Sequence, residues 1–179
     1  MALSTTDETI QRTRQRLSAS GFSAQVLPAK RGTRGQGDFI VSASNTRKCA
    51  KVRVKGHGDV NDPCWFSLTF FEEDIQSALE KRIKRDKAWK CNVAKYDFFI
   101  LVSLPLNRMW LFTPQEIVKL IEINLKQYDL PKERETHRKV EMNFDVVVGD
   151  EQLSQVKDYD DNLINESNNF TLLRSWLTN

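Results

Sequence analysis

Chemistry is densest between Gly35 and His57. There Asp38 leads an apolar run (Phe39, Ile40, Val41), and long cations alternate with small or apolar residues from Cys49 to Lys55. A period of two sends Lys51, Arg53 and Lys55 to one face of a strand and Ala50, Val52 and Val54 to the other. With the polar stretch Ser42 to Lys48 as the turn, the two segments form a hairpin. An acid at the start of one strand then faces a cationic row on the next, and long cations in a row suit the oxygens of a phosphate backbone.

An aspartate, a hairpin of this length and a residue-x-lysine triplet resemble the core of the PD-(D/E)XK nuclease superfamily, the restriction-endonuclease-like fold. The resemblance implies that Asp38 binds a divalent metal, Mg²⁺ or Mn²⁺, and that Lys55 positions or activates the attacking water. Arg53 stands where the family pattern has Glu, Asp or sometimes Gln. That departure opposes the metal: a like charge at about 4 Å costs roughly 4 kcal/mol at an effective dielectric near 20. A carboxylate would instead have supplied the oxygen ligand that magnesium prefers. Glu8, early in the first helix, resembles the acidic residue that many of these nucleases place close to the metal, and it would partly compensate. Its simpler role is to favour the helix dipole.

The rest of the chain must position these groups. Thr5, Thr6 or Asp7 can cap a first helix that Gly21 ends. Ala24 to Leu27 reads as a short strand, and the loop AKRGTRGQG brings Arg31 and Arg34 with three glycines that permit close backbone approach. Cys64 to Phe71 is another strand, opened by a tryptophan, Trp65, at about the family's distance from the lysine. Glu72 to Lys90 reads as a helix whose later turns carry Lys84 and Arg85. Those cations suit either the helix C-terminus or a DNA backbone.

Tyr96 to Ser103 is almost continuously apolar, as expected for a strand covered on both faces. After a turn at Pro105-Leu106-Asn107, Met109 to Phe112 forms its partner. Thr113, Pro114 and Glu116 then make an N-cap, a first helical position and a capping box. The order YDFFILV, WLF, TPQEIVKLI resembles the second half of several nuclease-like families, where such a strand and a proline-started helix complete the sheet. The resemblance implies an α/β fold with a restriction-endonuclease-like three-layer core, a central mixed β-sheet flanked by helices, over about 6–125. Beyond it, Gln127 to Lys139 reads as irregular, Val140 to Val148 as a strand, Asp158 to Asn169 as a mobile acidic loop, and Phe170 to Leu177 as a closing helix.

The totals agree with one soluble domain over 1–179. The chain has 179 residues, 40% hydrophobic and 28% charged. No apolar run approaches the roughly 20 residues that span a bilayer, and charges begin at Asp7, so a cytoplasmic protein without a membrane partner is expected. Cys49, Cys64 and Cys91 form no CxxC pair and read as buried small hydrophobes. His57 and His137 lack metal-ligand spacing. A net charge of +3 hides a division. From Ala24 to His57 the cations Lys30, Arg31, Arg34, Arg47, Lys48, Lys51, Arg53 and Lys55 face Asp38 alone, whereas acids dominate from Glu141 onward. A basic first half points to a polyanionic partner, DNA.

The resemblance therefore implies a DNA-binding protein that cleaves phosphodiesters with Mg²⁺ through Asp38, Lys55 and Glu8, Asp38 and Glu8 holding the metal. The backbone contacts would come from Arg31, Arg34, Lys51, Arg53, Lys84 and Arg85. The alternative is an inactive nuclease-fold module that binds DNA or a protein partner. A third reading makes the lysine row an ordinary strand surface that discourages aggregation. A homodimer is compatible with each.

Overall fold

The computed structural model describes residues 4–27, 36–44, 46–70, 85–128, 132–136, 139–156, 159–164 and 170–179. The basic loop with Arg31 and Arg34, and the first part of the helix expected from Glu72, with Lys84, lie outside these residues.

The first helix, α1 (Thr5–Ala19), begins at Ser4, whose Oγ accepts from the Asp7 amide at 3.1 Å. The cap thus lies one residue before the three candidates, because only Ser4 has the extended backbone an N-cap requires. Gly21 stops the helix as expected, in the left-handed conformation at φ 81°. Then follow β1 (Phe22–Val26), β2 (Gln36–Ala43) and β3 (Cys49–His57), an antiparallel meander. After β4 (Trp65–Phe70) comes α2 (Arg85–Val93), which runs three residues past the expected end at Lys90. The chain then returns as β5 (Phe98–Ser103), parallel to β3, and β6 (Arg108–Phe112), antiparallel to β5.

Every residue of β5 is buried, as its continuous apolar sequence implies. Asn107, at φ 52°, closes the β5–β6 turn, and its side chain accepts from Arg12 on α1. The next helix, α3 (Pro114–Tyr128), carries the capping box read from the sequence. The Glu116 carboxylate accepts from the Thr113 amide at 2.7 Å, and Thr113 Oγ1 accepts from the Glu116 amide at 3.3 Å.

Past α3 the described residues include regular elements that the composition does not suggest. β7 (Lys132–Thr136) lies in the stretch expected to be irregular, recruited by pairing with β8 (Lys139–Val147). A short helix, α4 (Asp150–Val156), follows. Part of the expected mobile loop is instead α5 (Tyr159–Asn162) and β9 (Leu163–Ile164). β9 pairs with β6, and Ile164 is buried there, so two apolar residues suffice to anchor a polar segment. The closing helix, α6 (Thr171–Thr178), forms as read and buries Leu173 and Leu177.

The fold is α/β around a mixed six-stranded sheet in the order β1-β2-β3-β5-β6-β9, with a second antiparallel sheet, β4-β8-β7. Trp65 and its strand thus belong to the second sheet. One face of the large sheet (Phe39, Val52, Val54, Phe98, Ile100) shares a core with Leu17 of α1 and with Leu173 and Leu177 of α6. The other (Phe99, Leu101, Trp110, Phe112) shares a core with α2, α3 and the inner residues Phe66, Leu68, Phe144 and Val146 of the second sheet. None of the cysteines is fully buried: Cys49 is exposed and the other two are half-buried, which corrects the expectation of three core thiols.

Candidate functional site

The register of the β2–β3 pair fixes the site. Asp38 lies directly opposite Arg53, and Phe39 opposite Val52. Side chains alternate across a strand, so Asp38, Lys51, Arg53 and Lys55 share one face, while Phe39, Val52 and Val54 enter the core on the other. Asp38 and Arg53 are therefore cross-strand neighbours, and Lys55 lies on the same face, as the alternation predicted.

Their partners differ from a metal site. Arg53 Nε donates to Asp38 Oδ1 at 3.2 Å, and the Tyr96 hydroxyl donates to Asp38 Oδ2 at 3.0 Å. Arg53 Nη2 in turn donates to the Tyr96 hydroxyl, closing a triangle. The guanidinium also lies over the Tyr96 ring, its Cζ 4.2 Å from the centroid, and Lys51 Nζ stands 4.7 Å from the same ring. Arg53 retains only 9% of its surface. A guanidinium so enclosed is tolerable because a carboxylate and a hydroxyl satisfy it.

Tyr96 holds its place through its neighbour. The Asp97 carboxylate accepts from the Lys51 amide at 2.7 Å, and the Asp97 amide donates to the Lys51 carbonyl at 2.8 Å. These bonds align the start of β5 with β3 and set the phenol beside Arg53. The sequence reading used this tyrosine only as the first residue of a strand. The available signal was a polar-tipped aromatic ahead of a wholly apolar run, since a buried hydroxyl needs a partner.

Lys55 is half-buried on the same face. Burial pushes its ammonium below the ordinary lysine value, and the carboxylate of Asp145, on β8, partly opposes the shift. Asp145 lies outside the stretch covered by the resemblance and was not among the candidates.

Glu8 is not brought to this group. Its carboxylate accepts from Arg12 at 2.7 Å, and the same guanidinium reaches Asn107 in the β5–β6 turn. Helix α1 packs on the opposite face of the sheet, with Leu17 in that core and Thr9 against Gly56. Arg85 opens α2. At the hairpin's far end Arg47 is exposed, and Lys48 donates to the Trp176 carbonyl at 2.7 Å with its Nζ 3.9 Å from that indole ring.

The donor set does not fit the magnesium implied by the resemblance. Magnesium demands several oxygens near 2.0–2.1 Å in octahedral array, roughly by rule. Here both oxygens of Asp38 accept from other groups, its cross-strand partner is a cation, and Glu8 belongs to a helix on the other face. Among the described residues no group of three or more His, Cys, Asp or Glu side chains is placed to hold a metal ion. What the arrangement offers is a cationic cluster, with Arg53 buried and Lys51 and Lys55 half-buried, fixed by one carboxylate and one phenol. No helix among the described residues is long and apolar enough to cross a membrane. Set against known proteins, the chain matches no family model, no curated protein and no solved structure.

Proposed function

We propose that this chain is a DNA-binding module on a restriction-endonuclease-like scaffold, holding the phosphate backbone without cutting it. The scaffold reading draws support from the mixed sheet flanked by helices, with a Tyr-Asp-Phe strand and a strand leading into a proline-started helix. DNA is favoured by the concentration of cations between Ala24 and His57, because neutralised phosphates supply most non-specific affinity. The observation that carries the choice of holding over cutting is the state of Asp38: both oxygens of the carboxylate that would take a metal already accept hydrogen bonds, one from Arg53 and one from Tyr96.

The test pairs a labelled DNA duplex with supercoiled plasmid, each with Mg²⁺, Mn²⁺ or EDTA, alongside Asp38→Ala and Lys55→Ala. Salt-sensitive duplex binding, on the order of 10⁻⁴ to 10⁻⁶ M at physiological salt, without plasmid nicking is the expected result. Metal-dependent nicking abolished by both substitutions would replace this reading with an endonuclease. Absence of both binding and nicking would leave the basic hairpin as an ordinary strand surface.

A further inference from the structure

We infer that the Arg53 guanidinium, braced by Asp38 and Tyr96, is a built-in cation that receives a DNA phosphate through its Nη1 with no divalent ion in between. This rests on the DNA-binding reading and says where one phosphate sits. A guanidinium has five N–H groups, and the two committed bonds use one each on Nε and Nη2. Among the described residues no hydrogen bond engages Nη1, and the Arg53 side chain retains 10% of its surface. The adjoining Asp38 side chain is 29% exposed, so the cluster opens outward.

Geometry makes this cation a receptor. Its plane is fixed from one edge by the carboxylate and from its face by the phenol ring, which itself packs edge-on against Phe99 at 5.4 Å. A phosphate arriving at Nη1 therefore meets a donor pair whose orientation is already paid for, in contrast to a free surface lysine. Lys51, against the same ring, adds a second cation, so the cluster of Asp38, Arg53 and Lys51 stays net positive. In a metal-dependent site the carboxylate recruits the ion; here it anchors a cation that the chain itself supplies.

Two substitutions with opposite expected signs test this, measured as duplex affinity against salt concentration, once with Mg²⁺ and once with EDTA. Asp38→Asn keeps the shape and an oxygen acceptor for Arg53 while removing the neutralising charge, and is expected to tighten binding about fivefold. Arg53→Gln is expected to weaken it about tenfold and to reduce the slope of log affinity against log salt by about one, the loss of one phosphate contact. A gain in affinity cannot come from unfolding, so Asp38→Asn stays informative even if Arg53→Gln loses its fold. Wild-type binding that EDTA abolishes, or that Asp38→Asn weakens, would overturn the inference in favour of a metal. Binding unchanged in both variants would overturn it and leave the DNA-binding reading intact, whereas no wild-type binding would remove that reading itself.

Discussion

At the scale of single residues, the hairpin carries two cations in different electrostatic positions. Arg53 is paired across the strand with Asp38, whereas Lys55 is partly buried with Asp145 acting on it from another sheet. The pairing with Asp38 was legible, because a period of two and one turn length place those residues opposite each other. Asp145 was not, since nothing local relates β8 to β3. The lowered Lys55 value has a measurable consequence. A lysine whose folded pKa lies below its unfolded value of about 10.4 opposes folding while charged, so its contribution to stability improves as pH rises through that interval. Competitive acetylation followed by peptide mass spectrometry is expected to give Lys55 a midpoint below the ordinary lysine value, and Asp145→Asn is expected to lower it further. A Lys55 that titrates like a model lysine, or is indifferent to Asp145→Asn, would show that burial does not govern this amine.

Elements with strong local signals were read correctly, and those made by distant pairing were not. The capping box at Thr113, the stop at Gly21 and the apolar run of β5 are each set within a few residues. β7 and β9 are strands only because β8 and β6 recruit them, and their own polar or very short sequences give no period to follow. The contact between α1 and β3 is likewise tertiary, and it turns on one glycine. A Cβ at Gly56 would lie 1.8 Å from Thr9 Oγ1 and 2.7 Å from Thr9 Cβ, so the helix sits on the strand only because that position is bare. Gly56→Ala must push α1 outward and is expected to cost about 1–3 kcal/mol in urea unfolding, in the range for overpacking. Adding Thr9→Gly is expected to recover part of that loss, despite the helix penalty of glycine of about 1 kcal/mol. Gly56→Ala with unchanged stability would mean that α1 does not bear on β3.

For the molecule as a whole, the six-stranded sheet is the shared wall of two cores, and β5 contributes to both: Phe98, Ile100 and Val102 to one, Phe99 and Leu101 to the other. A strand with no solvated face cannot lose one core while keeping the other, because half of its side chains would then expose apolar surface at about 25 cal/mol per Å². The two faces are therefore expected to unfold as one unit, although α6 arrives from the far end of the sequence to cover the face that α1 only partly fills. Leu120→Ala on α3 and Leu173→Ala on α6 remove fully buried side chains from opposite cores. Each is expected to destabilise by about 2–5 kcal/mol and to shift one common calorimetric transition, with calorimetric and van't Hoff enthalpies equal. The same coupling reaches the cationic hairpin, since Lys48 at its tip is tied to Trp176 of α6. If Leu173→Ala instead split the transition in two, α6 and its core would be a separately melting layer, and the hairpin would owe its rigidity to the α3 side alone.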